Sequence, residues 1–219
     1  MGSFTEENYL KALFHLAREN GEVNVKDLSR VLSIKMPTVT SMMKKLAEKE
    51  LVHYESYRPL KLTGKGKKEA GLIIRKHRLT EMYLVEKMGF GWEEVHEIAE
   101  QVEHVHAPAF FEKMNELLGH PSIDPHGSPI PNREGELDWK KYDKLSDCKA
   151  GEKFELQGIL KSEDEFLTYL NKRDLKLGLT LKVDSVEPFD GSMVVSFGPR
   201  MAETISRTVC DRLVGNRLT

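Results

Sequence analysis

The hydrophobic period of this 219-residue chain changes from helical to extended, and that change limits the available folds more than any composition figure. As far as Leu118, apolar residues recur mainly three and four apart, as one face of an α-helix requires. From Gly151 onward, GEKFELQGIL and LTLKVDSVEPFDGSMVVSFG alternate like half-buried strands, with a short helix from about Ser162 to Lys172 between them. GHPSIDPHGSPIPNREGE, Gly119 to Glu136, lies between the two regimes, and its Pro and Gly content marks a linker or an ordered loop. The expectation is a mainly α chain with a small, mostly antiparallel C-terminal β domain.

The helical part divides further. Thr5 reads as the N-cap of a helix to about Arg18, with Tyr9, Leu13, Leu16 and Ala17 at core spacing and Asn20-Gly21 as its stop. Asn24 and Asp27 form a capping-box pattern ahead of Leu28, Val31 and Leu32. After a break at Ser33 to Met36, Pro37 opens a third helix with Val39, Met42, Met43 and Leu46 on one stripe. LVHYES and LKLT then flank the turn Tyr57-Arg58-Pro59 as a hairpin. Three short helices and a basic hairpin make a winged helix-turn-helix, whose third helix enters the major groove of duplex DNA. The candidate contacts are Lys35, Pro37, Thr38, Thr40 and Ser41, small enough at the hydroxyls for close approach, with Lys44, Lys45, Arg58 and Lys61 neutralising phosphates. Residues 1–68 hold 13 Lys/Arg against 8 Asp/Glu, net +5, and residues 69–219 hold 20 against 27, net −7, so the basic excess falls where DNA would bind.

From Lys65 a long helix runs to about Met88, with His77 and Glu81 one turn apart on one face and Gly89-Phe90-Gly91 as its end. A helix from about Trp92 carries VHEIAEQVEHVH. At about 100° per residue, His96, Glu100, Glu103 and His104 fall in one stripe, and Val95, Ile98, Val102 and Val105 fall opposite. Imidazoles and carboxylates on one face suit a divalent first-row metal, which would relieve the Glu100–Glu103 repulsion; a solvated charged face is the plainer alternative. Beyond Pro108, Phe110, Phe111, Met114, Leu117 and Leu118 make an apolar helix that suits a dimer interface and equally a buried core. The domain expectation is therefore 1–68 for DNA binding, 69–140 for metal binding and dimerisation, and 145–219 for the β domain.

No apolar run approaches the roughly 20 residues that span a bilayer, and the polar start MGSFTEENYL does not read as a signal peptide, so a cytoplasmic protein without a membrane partner is expected. Cys148 and Cys210 form no C-x-x-C, which fits a reducing compartment. Two other readings compete with a metal-responsive regulator. A carboxylate-type metalloenzyme would draw on Glu93-x-x-His96 and Glu103-x-x-His106, but ferritin-like sites need those motifs on separate helices and here one helix carries both. H-E-x-x-H is absent, Gly64 to Gly66 lacks a phosphate-loop context, and no enzyme is expected. A winged-helix regulator sensing a non-metal ligand would leave His77, His96 and His104 as ordinary histidines.

Taken in order, the winged helix-turn-helix, RKHRLTE, VHEIAEQVEHV, DPHGSPIP and the β domain resemble the diphtheria toxin repressor family of iron- and manganese-dependent transcriptional regulators. The resemblance covers nearly the whole chain and implies an SH3-like (FeoA-like) β-barrel domain at the C-terminus. It implies a homodimer on a palindromic operator, with a divalent metal as corepressor and two metal sites per subunit. An ancillary site would use His77, Glu81 and His96; a regulatory site would use Glu100, Glu103 and His104 with Asn8 of the first helix. Iron-type members typically carry cysteine where this chain has Glu100; the harder carboxylate turns preference toward Mn²⁺, with Fe²⁺ and Zn²⁺ as alternatives. The chain departs from the family at Asn8, where methionine or aspartate is usual, and at Lys11, where some manganese-type members have a carboxylate. Aligned on Phe166, Glu165 falls at one ancillary ligand position of the β domain and Ser162 at the other, with Glu163 adjacent.

Overall fold

A computed structural model describes residues 3–20 and 22–218, so Gly21 of the expected first stop lies outside the described residues. The chain divides into two compact units: Met1–Thr80 with Glu97–Ser122 and Ile130–Asp138, and Glu81–His96 with Ile123–Pro129 and Trp139–Thr219.

The first unit opens with α1 (Phe4–Asn20), α2 (Val25–Val31) and α3 (Met36–Glu48). Ser3, rather than Thr5, caps α1: its backbone N–H donates to Glu6 Oε2 and its Oγ accepts from Glu6 N. The expected Asn24/Asp27 capping box is present on α2, and Pro37 sits in the first turn of α3. Strands β1 (Val52–His53) and β2 (Lys61–Leu62) pair antiparallel, and Leu60 bridges to Val23, so the wing is tied back to the α1–α2 connection. Tyr9, Leu13, Leu28, Val39, Met43 and Leu46 are fully buried together and hold the three helices.

The long helix α4 (Gly64–Met88) follows, and Gly66 is needed near its start because a Cβ there would lie 1.9 Å from the Leu51 carbonyl oxygen. Next come α5 (His96–Val102) and α6 (Pro108–Leu117). The helix expected from Trp92 thus starts four residues later, after turns at 92–95, and ends before Glu103. The shorter helix changes the expected faces: Val95 and Ala99 are buried as an apolar back requires, but Val105 is 43% exposed and Glu103 is fully buried. In α6, Phe111 and Met114 are buried while Phe110 and Leu117 stand about half exposed.

In the second unit, β3 (Asp143–Lys144), β4 (Lys153–Ile159), α7 (Asp164–Asn171), β5 (Thr180–Val186), β6 (Met193–Phe197), β7 (Arg200–Ile205), α8 (Arg207–Cys210) and β8 (Leu213–Leu218) form the β domain. Its six-stranded sheet has the order β3-β8-β4-β5-β6-β7, antiparallel throughout. Register shifts at Leu156/Gly158, Val183/Ser185 and Val195/Phe197 curl it. Phe154, Leu156, Leu181, Val183, Met193 and Val195 fill its inner face, and α7 adds Phe166, Leu167 and Leu170. Fold class is as expected, mainly α with a C-terminal β domain.

Candidate metal centre and nucleic-acid interface

Among the described residues, carboxylates and imidazoles gather in the first unit and again within the second. In the first unit, α1, the middle of α4 and the end of α5 converge. His104 Nδ1 donates to Glu7 Oε2 at 2.6 Å, and His77 Nδ1 donates to Glu103 Oε2 at 2.6 Å. His104 Nε2 is 3.5 Å from Glu103 Oε1, and His106 Nε2 is 3.9 Å from Glu7 Oε1. Lys11 Nζ donates to Glu100 Oε1 at 2.9 Å and to both oxygens of Glu103 at 2.8 and 2.9 Å. Burial works against ionisation of Glu103, but the hydrogen bond from His77 and the Lys11 ammonium outweigh it and hold the carboxyl below its ordinary range. Lys76 lies 3.9 Å from Glu7 Oε2, and burial pulls its ammonium below the usual lysine range.

The expected regulatory residues Glu100, Glu103 and His104 are therefore brought together, and α1 reaches them through two side chains. The α1 atoms that reach the group belong to Glu7 and Lys11; Asn8 is half-buried and makes none of these hydrogen bonds. The i, i+4 pair Glu7/Lys11 faces the end of α5, a pairing that the resemblance, which points to position 8, does not single out.

In the second unit, Glu81 is joined by two residues that sequence reasoning missed. Glu81, Asp124 and His126 are all buried, and their ligand atoms lie within 4.8 Å of one another. Glu81 Oε1 is also 3.2 Å from His96 Nδ1, and His77 stands one turn before Glu81 on α4. The loop that brings Asp124 and His126 is ordered by its own backbone. Asp124 Oδ1 accepts from the N–H groups of His126 and Ser128 at 2.8 and 2.9 Å, and Ile123 bridges to Pro129. Gly127, with φ +86°, lies so close to β4 that a Cβ would be 2.2 Å from the Gln157 carbonyl oxygen.

A carbonyl can only accept, so the 2.9 Å contact between His126 Nε2 and the Trp92 oxygen places the proton on Nε2. The Nδ1 lone pair then faces Glu81 Oε2 at 3.8 Å and Asp124 Oδ1 at 4.0 Å, three acceptors converging where a cation would be stabilised. Asp124 also lines an open cleft of about 500 Å³ with Met82, Val85, Trp92 and Leu177. Glu165 does not join: it is exposed in the first turn of α7 and lies outside the Glu81–Asp124–His126 group, while its neighbour Glu163 pairs with Arg212.

The donors in both groups are nitrogen and oxygen. Cys148 and Cys210 are buried in the β core, where desolvation pushes their thiols up to about 11 and about 12, so neither offers a thiolate. Hard and borderline donors of this kind fit Mn²⁺, Fe²⁺ or Zn²⁺.

On α3, Lys35, Pro37, Thr38, Ser41, Lys44 and Lys45 are exposed and Thr40 is half-buried; Arg58 and Lys61 are exposed on the wing. Two of these side chains have other partners. Ser41 Oγ donates to Pro37 O at 3.0 Å. Lys45 Nζ sits 2.9 Å from Glu6 Oε1, which Lys49 also holds at 2.8 Å. Burial of Glu6 opposes its charge, but hydrogen bonds from Lys49, Lys45 and Ser3 prevail and lower its carboxyl to about 2.

A winged helix beside a carboxylate–imidazole cluster defines a metal-responsive DNA-binding architecture. The chain belongs to the iron-dependent repressor family. Residues 3–60 match its N-terminal DNA-binding domain, residues 63–132 its metal binding and dimerisation domain, and residues 144–215 a FeoA domain. The iron-dependent repressor IdeR of Mycobacterium leprae is 34% identical over 127 residues, covering 58% of this chain and 55% of the relative. This chain's match thus spans about half the length of that relative. The HTH-type transcriptional regulator MntR of Geobacillus thermodenitrificans is 36% identical over 98 residues, 45% of this chain and 69% of the relative. Among solved structures, a manganese-dependent transcriptional repressor in complex with manganese superposes with a TM-score of 0.84 at 28% identity, covering 97% of this chain and all of that one. ScaR with bound Cd²⁺ gives 0.78 at 30% identity, covering 97% and 99%. Among the described residues no helix is long and apolar enough to cross a membrane.

Proposed function

We propose that this chain is a metal-dependent transcriptional repressor of the cytoplasm, a homodimer that binds a palindromic operator and represses metal-uptake genes when loaded with Mn²⁺, with Fe²⁺ and Zn²⁺ as the alternative ions. The observation that carries the reading is the double engagement of α1 within the first unit. Its Glu6 holds Lys45 and Lys49, at the end of the reading helix and just past it, and its Glu7 and Lys11 hold His104, Glu100 and Glu103. A change at the carboxylate–imidazole group therefore acts directly on the helix that braces α3.

Glu100, Glu103 and His104 are the regulatory ligands in this reading, with α1 adding Glu7 or Asn8. His77, Glu81, His96, Asp124 and His126 are the donors for a second, structural ion. A bound divalent ion supplies positive charge shared between α1 and the end of α5. Glu7 and His104 keep α1 against that end, and Glu6 passes its position to α3. In a two-fold dimer the recognition helices then match half-sites about one helical turn, roughly 34 Å, apart or a multiple of it. Lys35, Thr38, Lys44, Arg58 and Lys61 are the contacts on each half-site.

The metalloenzyme reading loses support from the contacts of Glu103. Glu103 is tied to His77, His104 and Lys11, and none of these contacts leaves an open position flanked by a second carboxylate–histidine motif on another helix. The test is capture of genomic fragments at one salt concentration, in chelator and with Mn²⁺. Enrichment of a few palindromic sites only with Mn²⁺ is expected, and equal enrichment in chelator contradicts the metal dependence.

A further inference from the structure

Lys11 is a cation seated among the carboxylates that the regulatory reading assigns as ligands, and it contacts two of them at once. Its side chain is only 14% exposed, and its ammonium sits among the carboxylates assigned as ligands. An ammonium has three N–H donors, and three oxygens receive them: Glu100 Oε1 at 2.9 Å and Glu103 Oε1 and Oε2 at 2.8 and 2.9 Å. The second oxygen of Glu103 is shared with His77, so both oxygens of this fully buried carboxylate are taken. Glu100 is about half exposed, so the ammonium plugs the group between a buried and a solvent-facing carboxylate.

We infer that Lys11 is a tethered counter-ion which occupies the Glu100–Glu103 carboxylates when no metal is bound, limits the group to one divalent ion, and sets the metal concentration at which that ion can enter. This rests on the assignment of Glu100 and Glu103 as ligands. The reasoning is electrostatic. Without a cation, Glu100 and Glu103 would bring two negative charges to one partly buried place beside Glu7, which Lys76 approaches at 3.9 Å, and Lys11 relieves the Glu100–Glu103 repulsion from within the chain. A metal that takes Glu103 must displace the hydrogen bonds from the Lys11 ammonium and the His77 imidazole, so its affinity is lower than the donors alone would give. A second ion beside the first would meet a fixed positive charge where a ligand is needed.

The experiment is Mn²⁺ binding to the full chain, followed by calorimetry and electron paramagnetic resonance, in a Glu81→Ala background that removes the central donor of the other group. The parent is expected to bind one Mn²⁺. Lys11→Met is expected to bind one Mn²⁺ about ten- to a hundredfold tighter, the worth of one to two charge-assisted hydrogen bonds. Lys11→Arg keeps a cation and is expected to stay near the parent. Lys11→Glu is expected to bind two ions whose spectra show them coupled. A lysine serving only to hold α1 would, when replaced, lower the melting temperature equally with and without Mn²⁺; here the loss is expected in the metal-free protein and closes at saturating Mn²⁺. Unchanged or weaker affinity in Lys11→Met, or two ions in the parent, overturns the role of Lys11 and leaves the proposed function standing. No Mn²⁺ binding in the parent or any variant overturns the ligand assignment and this inference together.

Discussion

In the first unit, Glu103, His77 and His104 sit on or beside helices and are held by one another, by Glu7 and by Lys11; in the second, Asp124 and His126 sit on a loop and are held by its backbone. The donors are alike, carboxylates and imidazoles, but the restraint differs. The helical group balances its charges with side chains that can exchange partners, and two of those side chains, Glu7 and Lys11, belong to α1. The loop group is fixed before any ion arrives, by the N–H groups of His126 and Ser128, the Trp92 carbonyl and the close approach of Gly127 to β4. Exchangeable side-chain pairs suit the sensing role proposed for the helical group, and a backbone-clamped loop suits the structural role proposed for the other.

The most damaging way to break this contrast is at the clamp. Gly127→Ala places a Cβ against the Gln157 carbonyl at a positive φ, and should cost about 3 kcal/mol or more of stability, read by urea unfolding. A loss under about 1 kcal/mol would mean the loop is not clamped by β4. His126→Ala should weaken one of the two ions by about a hundredfold in competition with a metal chelator while Mn²⁺-dependent DNA binding survives; loss of the DNA response instead would erase the division between sensor and structural site.

A smaller effect sharpens the role of α1. The Glu6 carboxyl, lowered to about 2 from 4.5, adds stability that is fully present above pH 4.5 and fades as pH falls toward 2, since only the unfolded chain takes up the proton in that interval. Its lysine partners are about half exposed, so the contribution at pH 7 is discounted to about 1–2 kcal/mol. Glu6→Gln should lose that amount at pH 7 and converge on the parent near pH 2, measured by unfolding across the interval. The smallest expected change separates two neighbours on α3: Lys44→Ala should reduce the salt dependence of DNA binding by about one unit of slope and leave stability within about 0.5 kcal/mol, while Lys45→Ala also loosens Glu6.

Sequence reasoning reached the helical group and passed over the loop group for a physical reason. On helices, spacing reports direction, so His77 and Glu81, and Glu100, Glu103 and His104, could be picked out from their intervals. GHPSIDPHGSPIP has no period, and whether Asp124 and His126 meet Glu81 depends on an Asx turn and a glycine contact that only the folded chain supplies. The stripe drawn through VHEIAEQVEHVH was extended too far because the helix ends at Val102, which sends Val105 outward and buries Glu103. Strands β7 and β8 were not separated because RMAETI and LVGNRL alternate weakly and are recognised by pairing with β6 and β4. The winged helix-turn-helix was legible almost entirely, since caps, Pro37 and apolar stripes all point the same way.

The central claim is that metal at the helical group controls DNA binding. Its most direct test is the affinity of the full chain for one operator duplex at fixed salt, followed by fluorescence anisotropy as Mn²⁺ is raised, with His104→Ala alongside. The expected result is tightening by about a hundredfold or more in the parent, a coupling near the top of the usual range, and none in His104→Ala. Equal tightening in both proteins, or full affinity of the parent in chelator, would contradict it.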